Sequence, residues 1–413
     1  MNWNVQNFGP AKAGIKFGNY DVVLAIAKLV VESKTDILVL LELNTTSRQT
    51  ATDVASNLLQ GLHSYSYGKG RNEWNVCVLS PNTGTEFYGF FVRDAARTVP
   101  MPISAPVVGT SPVEDLGPFH PAATAEFTAV AANATGVQQG RFPLLHADLP
   151  KTSSFGRPMG IPLWPGTRYP VLGLFWVPQA SAVNRMLPIF ACHFAPNSSQ
   201  ANSQILNLPY FSVLNALRPG AAAPVSLKVT PPGGMGSVTQ AINYFVITGD
   251  FNIDFRRDPH FYTALMQKGP LLGGAIRLLE AEKSIKDPTH LVTTQEFNTR
   301  DYKTTKDLAI NAFDNFFTMV NPATPATVTF GGAEVPDVPA QVKNRSLTLR
   351  ESVTHYEELD QRGFSSRPYQ NIIRDAASQL TGDKSHLINL RGALVGGRLI
   401  SDHLPTVVDI TLN

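Results

Sequence analysis

Five short polar clusters, each closing an apolar, strand-like run, constrain this chain more than any other feature. In order they are Trp3-Asn4-Val5-Gln6-Asn7-Phe8-Gly9, Asp36-Ile37-Leu38-Val39-Leu40-Leu41-Glu42, Ala191-Cys192-His193, Gly249-Asp250-Phe251-Asn252 and Ser401-Asp402-His403. The run before Asp250 is Tyr244-Phe245-Val246-Ile247-Thr248. Buried strands that end in carboxylates, amides and two histidines deliver those groups to one sheet edge, which is how a fold assembles a phosphate-cleaving site. The first and last clusters sit near opposite ends of the chain. They therefore imply one domain over 1–413, where length alone would allow two or three.

The coarse pattern alternates strands and helices, an α/β arrangement. Strands are expected at 2–8, 36–42, 73–80, 86–92, 170–177, 186–194, 243–249, 312–319 and 405–412. Val22, Val23, Ala25, Ile26, Leu29 and Val30 recur at helical spacing, predicting a helix over 20–33; others are expected over 50–62, 198–216 and 258–268. Three insertions interrupt the series. Residues 93–167 are rich in Pro, Ala, Gly and Thr, residues 218–240 read as an exposed loop around Pro231-Pro232-Gly233-Gly234, and residues 320–398 carry helical patterns near 346–361 and 367–380.

A hydrophobic content of 43% supports a substantial core, and no stretch is apolar enough to span a bilayer. The N-terminus has no basic region leading into an apolar one, so the expected location is cytoplasmic, or outside the cell by a route without a Sec signal. Cys77 and Cys192 make no disulfide framework and read as small buried hydrophobes. A net charge of +2 is too mild to identify a nucleic-acid binder, though it permits a local basic groove.

Read singly, most of the polar residues have plain alternatives. Glu42 could be a strand-end glutamate facing water, His193 a core histidine, Asp314 a turn residue and Arg168 a solvated arginine. A buried Glu42, however, needs a cation or donors, and a hard carboxylate oxygen suits Mg²⁺, Mn²⁺ or Ca²⁺. Asp250 and Asn252 lie on one face of an extended segment. Asp250 can hold the attacking water, and Asn252 can donate to a phosphate oxygen as charge builds. His403 titrates in the range useful for proton transfer. The remaining histidines, among them His63, His260 and His290, show no metal spacing and read as surface or packing residues.

The order and identity of these clusters resemble the endonuclease/exonuclease/phosphatase superfamily, the group that includes DNase I. The resemblance reaches from Trp3 to Ile410. It implies a four-layered α/β sandwich, two packed mixed sheets flanked by helices, with the site at one edge. It implies a metal held by Glu42 with Asp402 and Asn4, and His403 as general base or phosphate-binding imidazole oriented by Asp314 of Phe313-Asp314-Asn315. By the same resemblance His193 protonates the leaving oxygen with Glu73 of Arg71-Asn72-Glu73-Trp74 as its partner. Arg168, of Thr167-Arg168-Tyr169-Pro170, clamps phosphate, and Arg71 is a weaker groove contact. Repair-type relatives carry an acid where this chain has Gln6, which leans toward the DNase I-like branch. The function implied is a Mg²⁺-dependent (or Mn²⁺- or Ca²⁺-dependent) phosphodiester hydrolase, an endonuclease acting on DNA with low sequence specificity. A phosphatase or phosphodiesterase of a lipid or inositol phosphate, and a catalytically inactive binding scaffold, stay open as alternatives. Nucleic acid is the expected partner, and an inhibitor or delivery protein is conceivable if the chain is a toxin.

Overall fold

The structure, a computed structural model, describes residues 1–16, 20–66, 74–79, 86–93, 98–100, 124–127, 168, 170–180, 185–208, 226–230, 236–262, 287–297, 300–320, 328–331, 334–343 and 385–412. Two mixed sheets form its centre. The first holds β1 (Asn2–Asn4), β2 (Ile37–Asn44), β3 (Trp74–Leu79) and β4 (Glu86–Arg93) in the order β1-β2-β4-β3. Only β1 and β2 in it run parallel. The second holds β5 (Val99–Pro100), β7 (Val171–Trp176), β8 (Met186–His193), β11 (Tyr244–Asp250) and β14 (Asp314–Val320) in the order β14-β11-β8-β7-β5. Here β8 and β11 run parallel.

Strands buried on both faces read as continuous apolar runs, and β2 shows why. Alternate side chains go to opposite faces. Val39 and Leu41 enter the layer between the sheets with Tyr88, Phe90, Phe175, Ile189 and Val246. Leu38, Leu40 and Leu43 face the helical layer with residues of α1 (Asp21–Glu32), α2 (Arg48–Ser66) and α6 (Ser385–Ile400). The Phe90 and Phe175 rings meet across the sheets at 5.7 Å. Burying each such side chain contributes about 1.5–3 kcal/mol before the entropy of ordering it is subtracted. The far face of the second sheet carries an aromatic layer in which Phe251 packs edge-on against Phe194 at 5.2 Å and Phe317 at 5.0 Å. The result is an α/β sandwich of two sheets with flanking helices, as expected.

Several local expectations change. The strand expected over 2–8 stops at Asn4, because Asn7 takes a left-handed φ of +52° and turns the chain. The strand expected over 405–412 becomes single bridges, Asn2 to Thr406 and Glu334 to Val407, before β16 (Ile410–Leu412) pairs with β15 (Val328–Phe330). The 218–240 insertion is not a plain loop: β9 (Ser226–Thr230) pairs with β10 (Val238–Ala241) and also with β6 (Thr124–Phe127) of the 93–167 insertion. The Pro-Pro-Gly-Gly signal drew the reading to a loop and hid the flanking strands. α3 (Ser198–Asn207) is capped by the Asn197 side chain, which accepts from the Ser199 and Gln200 N–H groups. Of the helix expected over 258–268, the described residues form a 3-10 turn, Pro259–Tyr262. The helical patterns near 346–361 and 367–380 lie outside the described residues. β12 (His290–Leu291) pairs with β13 (Ala309–Asn311), followed in space by α4 (Thr294–Phe297) and α5 (Val338–Lys343). Glycines 392, 396 and 397 masked the periodicity of α6; at Gly397 a Cβ would lie 3.2 Å from the Pro339 ring of α5, so the glycine permits that close approach. Among the described residues no helix is long and apolar enough to cross a membrane.

Candidate active site

The site is one rung of the second sheet extended by the first. Asp250, the last residue of β11, is registered against His193 of β8 on one side and Asp314 of β14 on the other. Gly249 makes this possible. Its φ is +145°, and a Cβ there would sit 1.8 Å from the Cys192 carbonyl oxygen, so no other residue fits. In the first sheet, β2 shifts register against β4 between Leu40 and Leu43, and Glu42 inside that bulge has φ +61°. A left-handed conformation costs a non-glycine residue roughly 1–2 kcal/mol. Here it turns the Glu42 carboxylate into the site, where Oε2 accepts from the Asn7 N–H at 2.8 Å and Oε1 from Asn4 Nδ2 at 3.2 Å.

Two histidine–carboxylate pairs face Asp250. His193 Nδ1 is 2.5 Å from Glu86 Oε1, and His403 Nδ1 is 2.8 Å from Asp314 Oδ2. The Nε2 atom of each ring points at the same oxygen, Asp250 Oδ2, at 3.6 Å. That oxygen also accepts from Asn4 Nδ2 at 3.0 Å and Asn252 Nδ2 at 3.3 Å, while Oδ1 accepts from the Asn252 N–H at 2.9 Å. Burial would push the Asp250 carboxyl up, but His403, His193 and these donors outweigh it and hold it below the ordinary carboxylate value. Burial would likewise lower both imidazoles. Asp314 and Asp250 instead hold His403 well above its usual range, and Glu86, Glu42 and Asp250 raise His193. Burial, above all, raises Asp314 itself.

Arg168 reaches the first pair. Its Nε lies 3.0 Å from Glu86 Oε2, and its Nη1 lies 2.7 Å from His193 Nε2 and 3.2 Å from the Phe194 carbonyl oxygen. A guanidinium can donate to an imidazole nitrogen only where that nitrogen keeps its lone pair. In this arrangement His193 is therefore neutral, with its proton on Nδ1 toward Glu86. A second proton, which Glu86, Glu42 and Asp250 favour, would have to sit on Nε2 and would require Arg168 to leave it.

Glu42, Glu86, Asp250, Asp314 and Asp402 concentrate negative charge at this edge, and Asn4 Oδ1 and Asp402 Oδ1 are buried with no hydrogen-bond partner. Unpaired hard oxygen atoms in a buried, acidic pocket suit a divalent cation. The carboxylate and amide oxygens of Glu42, Asn4 and Asp402 are donors of the type a hard divalent cation takes. Ser401 anchors their backbone, since its Oγ donates to the Asn4 carbonyl at 2.7 Å and accepts from the His403 N–H at 3.0 Å. Trp3 Nε1 adds a bond to the His403 carbonyl at 2.8 Å.

Of the residues singled out from the sequence, Asn4, Glu42, His193, Asp250, Asn252, Asp314, Asp402, His403 and Arg168 come together at this edge. Glu73 and Arg71 lie outside the described residues; among the described residues the carboxylate on His193 Nδ1 is Glu86. The signal for Glu86 was present: it is a strand-end glutamate beginning a predicted strand, as Glu42 ends one. Sequence reading also passed over three others. Lys12 is fully buried, with its Nζ donating to the Gln6 carbonyl at 2.7 Å, and burial lowers its ammonium to about 8 against the pull of Asp402 and Glu42. Asn2 places Nδ2 3.5 Å from Asp314 Oδ1. His290, expected on the surface or in packing, lies edge-on to His403 with ring centroids 5.0 Å apart.

No protein-family model and no curated protein matches this chain. Solved structures that align with it include an endonuclease/exonuclease/phosphatase from Bacteroides vulgatus, at 11% identity and a TM-score of 0.41 over 100% of this chain and 97% of that one. A mannosyl-6-phosphatase of Bacteroides thetaiotaomicron aligns at 12% identity and a TM-score of 0.43, over 100% and 98%. TDP2 of D. rerio complexed with a single-strand DNA product aligns at 9% identity and a TM-score of 0.34, over 81% and 88%. The two packed mixed sheets with flanking helices make this protein an α/β sandwich.

Proposed function

We propose that this protein is a divalent-metal-dependent phosphodiester hydrolase, and within that class a DNase I-like endonuclease acting on DNA with low sequence specificity. One observation carries the reading. Two imidazoles approach Asp250 Oδ2 at 3.6 Å each, and each is backed by its own buried carboxylate. Hydrolysis of a phosphodiester needs a base for the water and an acid for the leaving oxygen, and two separately tuned His–carboxylate pairs are suited to supply them.

In this reading Asp250 and His403 hold the attacking water, and Asp314 fixes the His403 tautomer so that Nε2 faces it. Asn252 and Asn4 donate to oxygens whose charge grows in the transition state. Arg168 moves from His193 to grip phosphate oxygens. His193 then carries a proton on Nε2, favoured by Glu86, and delivers it to the leaving oxygen. Glu42, Asn4 and Asp402 would hold a divalent ion, which when bound would supply Lewis-acid polarisation of the phosphate. The choice of DNA rests on the resemblance of Arg168 and of the paired histidines to DNase I-like nucleases.

The test is a substrate panel: supercoiled plasmid, RNA, sphingomyelin vesicles and inositol polyphosphates, each with Mg²⁺ and with EDTA. Mg²⁺-dependent nicking of plasmid is expected. Turnover of a lipid or inositol phosphate with plasmid untouched would replace the substrate and keep the class. Folded protein inert on all four would overturn the class.

A further inference from the structure

We propose that His290, Asp402 and His403 form a cation site of mixed nitrogen and oxygen donors, which takes a first-row transition dication such as Mn²⁺ or Zn²⁺ in preference to Mg²⁺. The backbone builds it. β12 is joined to the Ser401–His403 segment by the Leu291 N–H donating to the Asp402 carbonyl at 2.7 Å and the Leu404 N–H donating to the Thr289 carbonyl at 2.6 Å. His290 and His403 face each other as an antiparallel bridge pair. The Asp402 carboxylate lies between the two rings, with Oδ2 3.8 Å from His290 Nε2 and Oδ1 4.0 Å from His403 Nε2.

These separations are too long for hydrogen bonds and right for ligands. Two donors on one ion with bonds of about 2.1 Å lie no more than about 4.2 Å apart. One ligand atom from each of the three residues falls within 4.8 Å of the others, so a small side-chain adjustment closes the set. The buried Asp402 Oδ1 accepts no hydrogen bond, and the buried His290 Nδ1 makes none. The nearby cations do not fill the gap. Arg398 Nη2 stays 3.8 Å from Asp402 Oδ2 while its Nη1 donates to the Leu291 and Val292 carbonyls, and the Lys12 ammonium is held by Gln6. Asp314 on His403 Nδ1 leaves Nε2 as the ligating atom, the usual role of a carboxylate behind a metal-bound histidine.

Two imidazoles and one carboxylate favour transition dications, whereas Mg²⁺ prefers oxygen ligands alone. An ion here takes the lone pair of His403 Nε2, so occupancy and proton abstraction by that nitrogen exclude each other. The functional consequence therefore rests on the hydrolase reading; the binding does not.

The test is Mn²⁺ titration of the full chain in excess Mg²⁺, read by electron paramagnetic resonance for bound ion and by electron spin-echo modulation for ¹⁴N coupling. Retained Mn²⁺ with imidazole nitrogen coupling is expected in the wild type, with affinity falling at least tenfold in His290→Ala. Bound Mn²⁺ without nitrogen coupling, no Mn²⁺ retained against Mg²⁺, or unchanged binding by a folded His290→Ala would overturn the proposal. The wild-type nitrogen coupling decides the matter even if the variant does not fold. Plasmid nicking measured in parallel separates the two readings, because coupling can be present where nicking is absent and the reverse.

Discussion

His193 has two partners that cannot both persist through a catalytic cycle. With Arg168 Nη1 at 2.7 Å its Nε2 must be unprotonated, whereas donation to a leaving oxygen needs a proton there. A phosphate that draws Arg168 away resolves the conflict and couples substrate binding to protonation. If so, His193→Ala should lose about 10²–10⁴ in rate on DNA, whose leaving oxygen needs a proton. It should lose little on a p-nitrophenyl phosphodiester, whose leaving group does not. Equal losses on both substrates would remove His193 from the acid role. Glu86 is the chief reason that His193 is raised despite burial. In Glu86→Gln the imidazole should lose its proton at lower pH, so the alkaline limb of kcat should move toward acid. An unmoved limb, in a variant that still folds, would assign the acid to another group.

At the scale of elements, the site depends on two local departures from regular strand geometry. Gly249→Ala would drive a Cβ against the Cys192 carbonyl, a contact with backbone rather than with a side chain that could yield. The expected outcome is a loss of at least about 3 kcal/mol of stability by denaturant titration, well beyond an ordinary surface substitution. A change below 1 kcal/mol would mean that β8 and β11 separate easily there. The bulge at Glu42 illustrates what sequence reading can and cannot reach. The strand and its terminal carboxylate were legible in Asp36–Glu42, because both faces are buried and the run is continuous. The left-handed φ that aims the carboxylate was not, since it arises from pairing with β4 and from the Asn7 and Phe8 N–H groups. Glu86 was missed for a related reason. Nothing in the chain order ties Glu86 to His193, and only the packing of β4 against β8 brings its carboxylate to the ring. His290 was missed because two residues of β12 carry no periodicity, and its approach to His403 is set by a bridge across more than a hundred residues.

On the scale of the whole molecule, the two sheets must stay in register for residues from both to meet at Asp250. Phe90 lies fully buried in the layer between them. Phe90→Ala should cost about 3–5 kcal/mol. The α/β class was legible from the alternating runs and the sandwich only through the family resemblance, whereas the joining of the 93–167 and 218–240 insertions through β6 and β9 was not legible, because pairing between distant short strands leaves no local trace. Five carboxylates drawn to one edge by this architecture should also make stability depend on metal. Mg²⁺ at a hundred times its Kd should stabilise the fold by about 2.7 kcal/mol, and Glu42→Ala should reduce that gain. The most direct test of the account is conversion of supercoiled plasmid by the purified protein with Mg²⁺, beside EDTA and the folded variants His193→Ala and His403→Ala. The account predicts nicking that EDTA abolishes and that both substitutions reduce by at least about a hundredfold. Nicking that persists in EDTA, or that survives loss of either histidine, would contradict it.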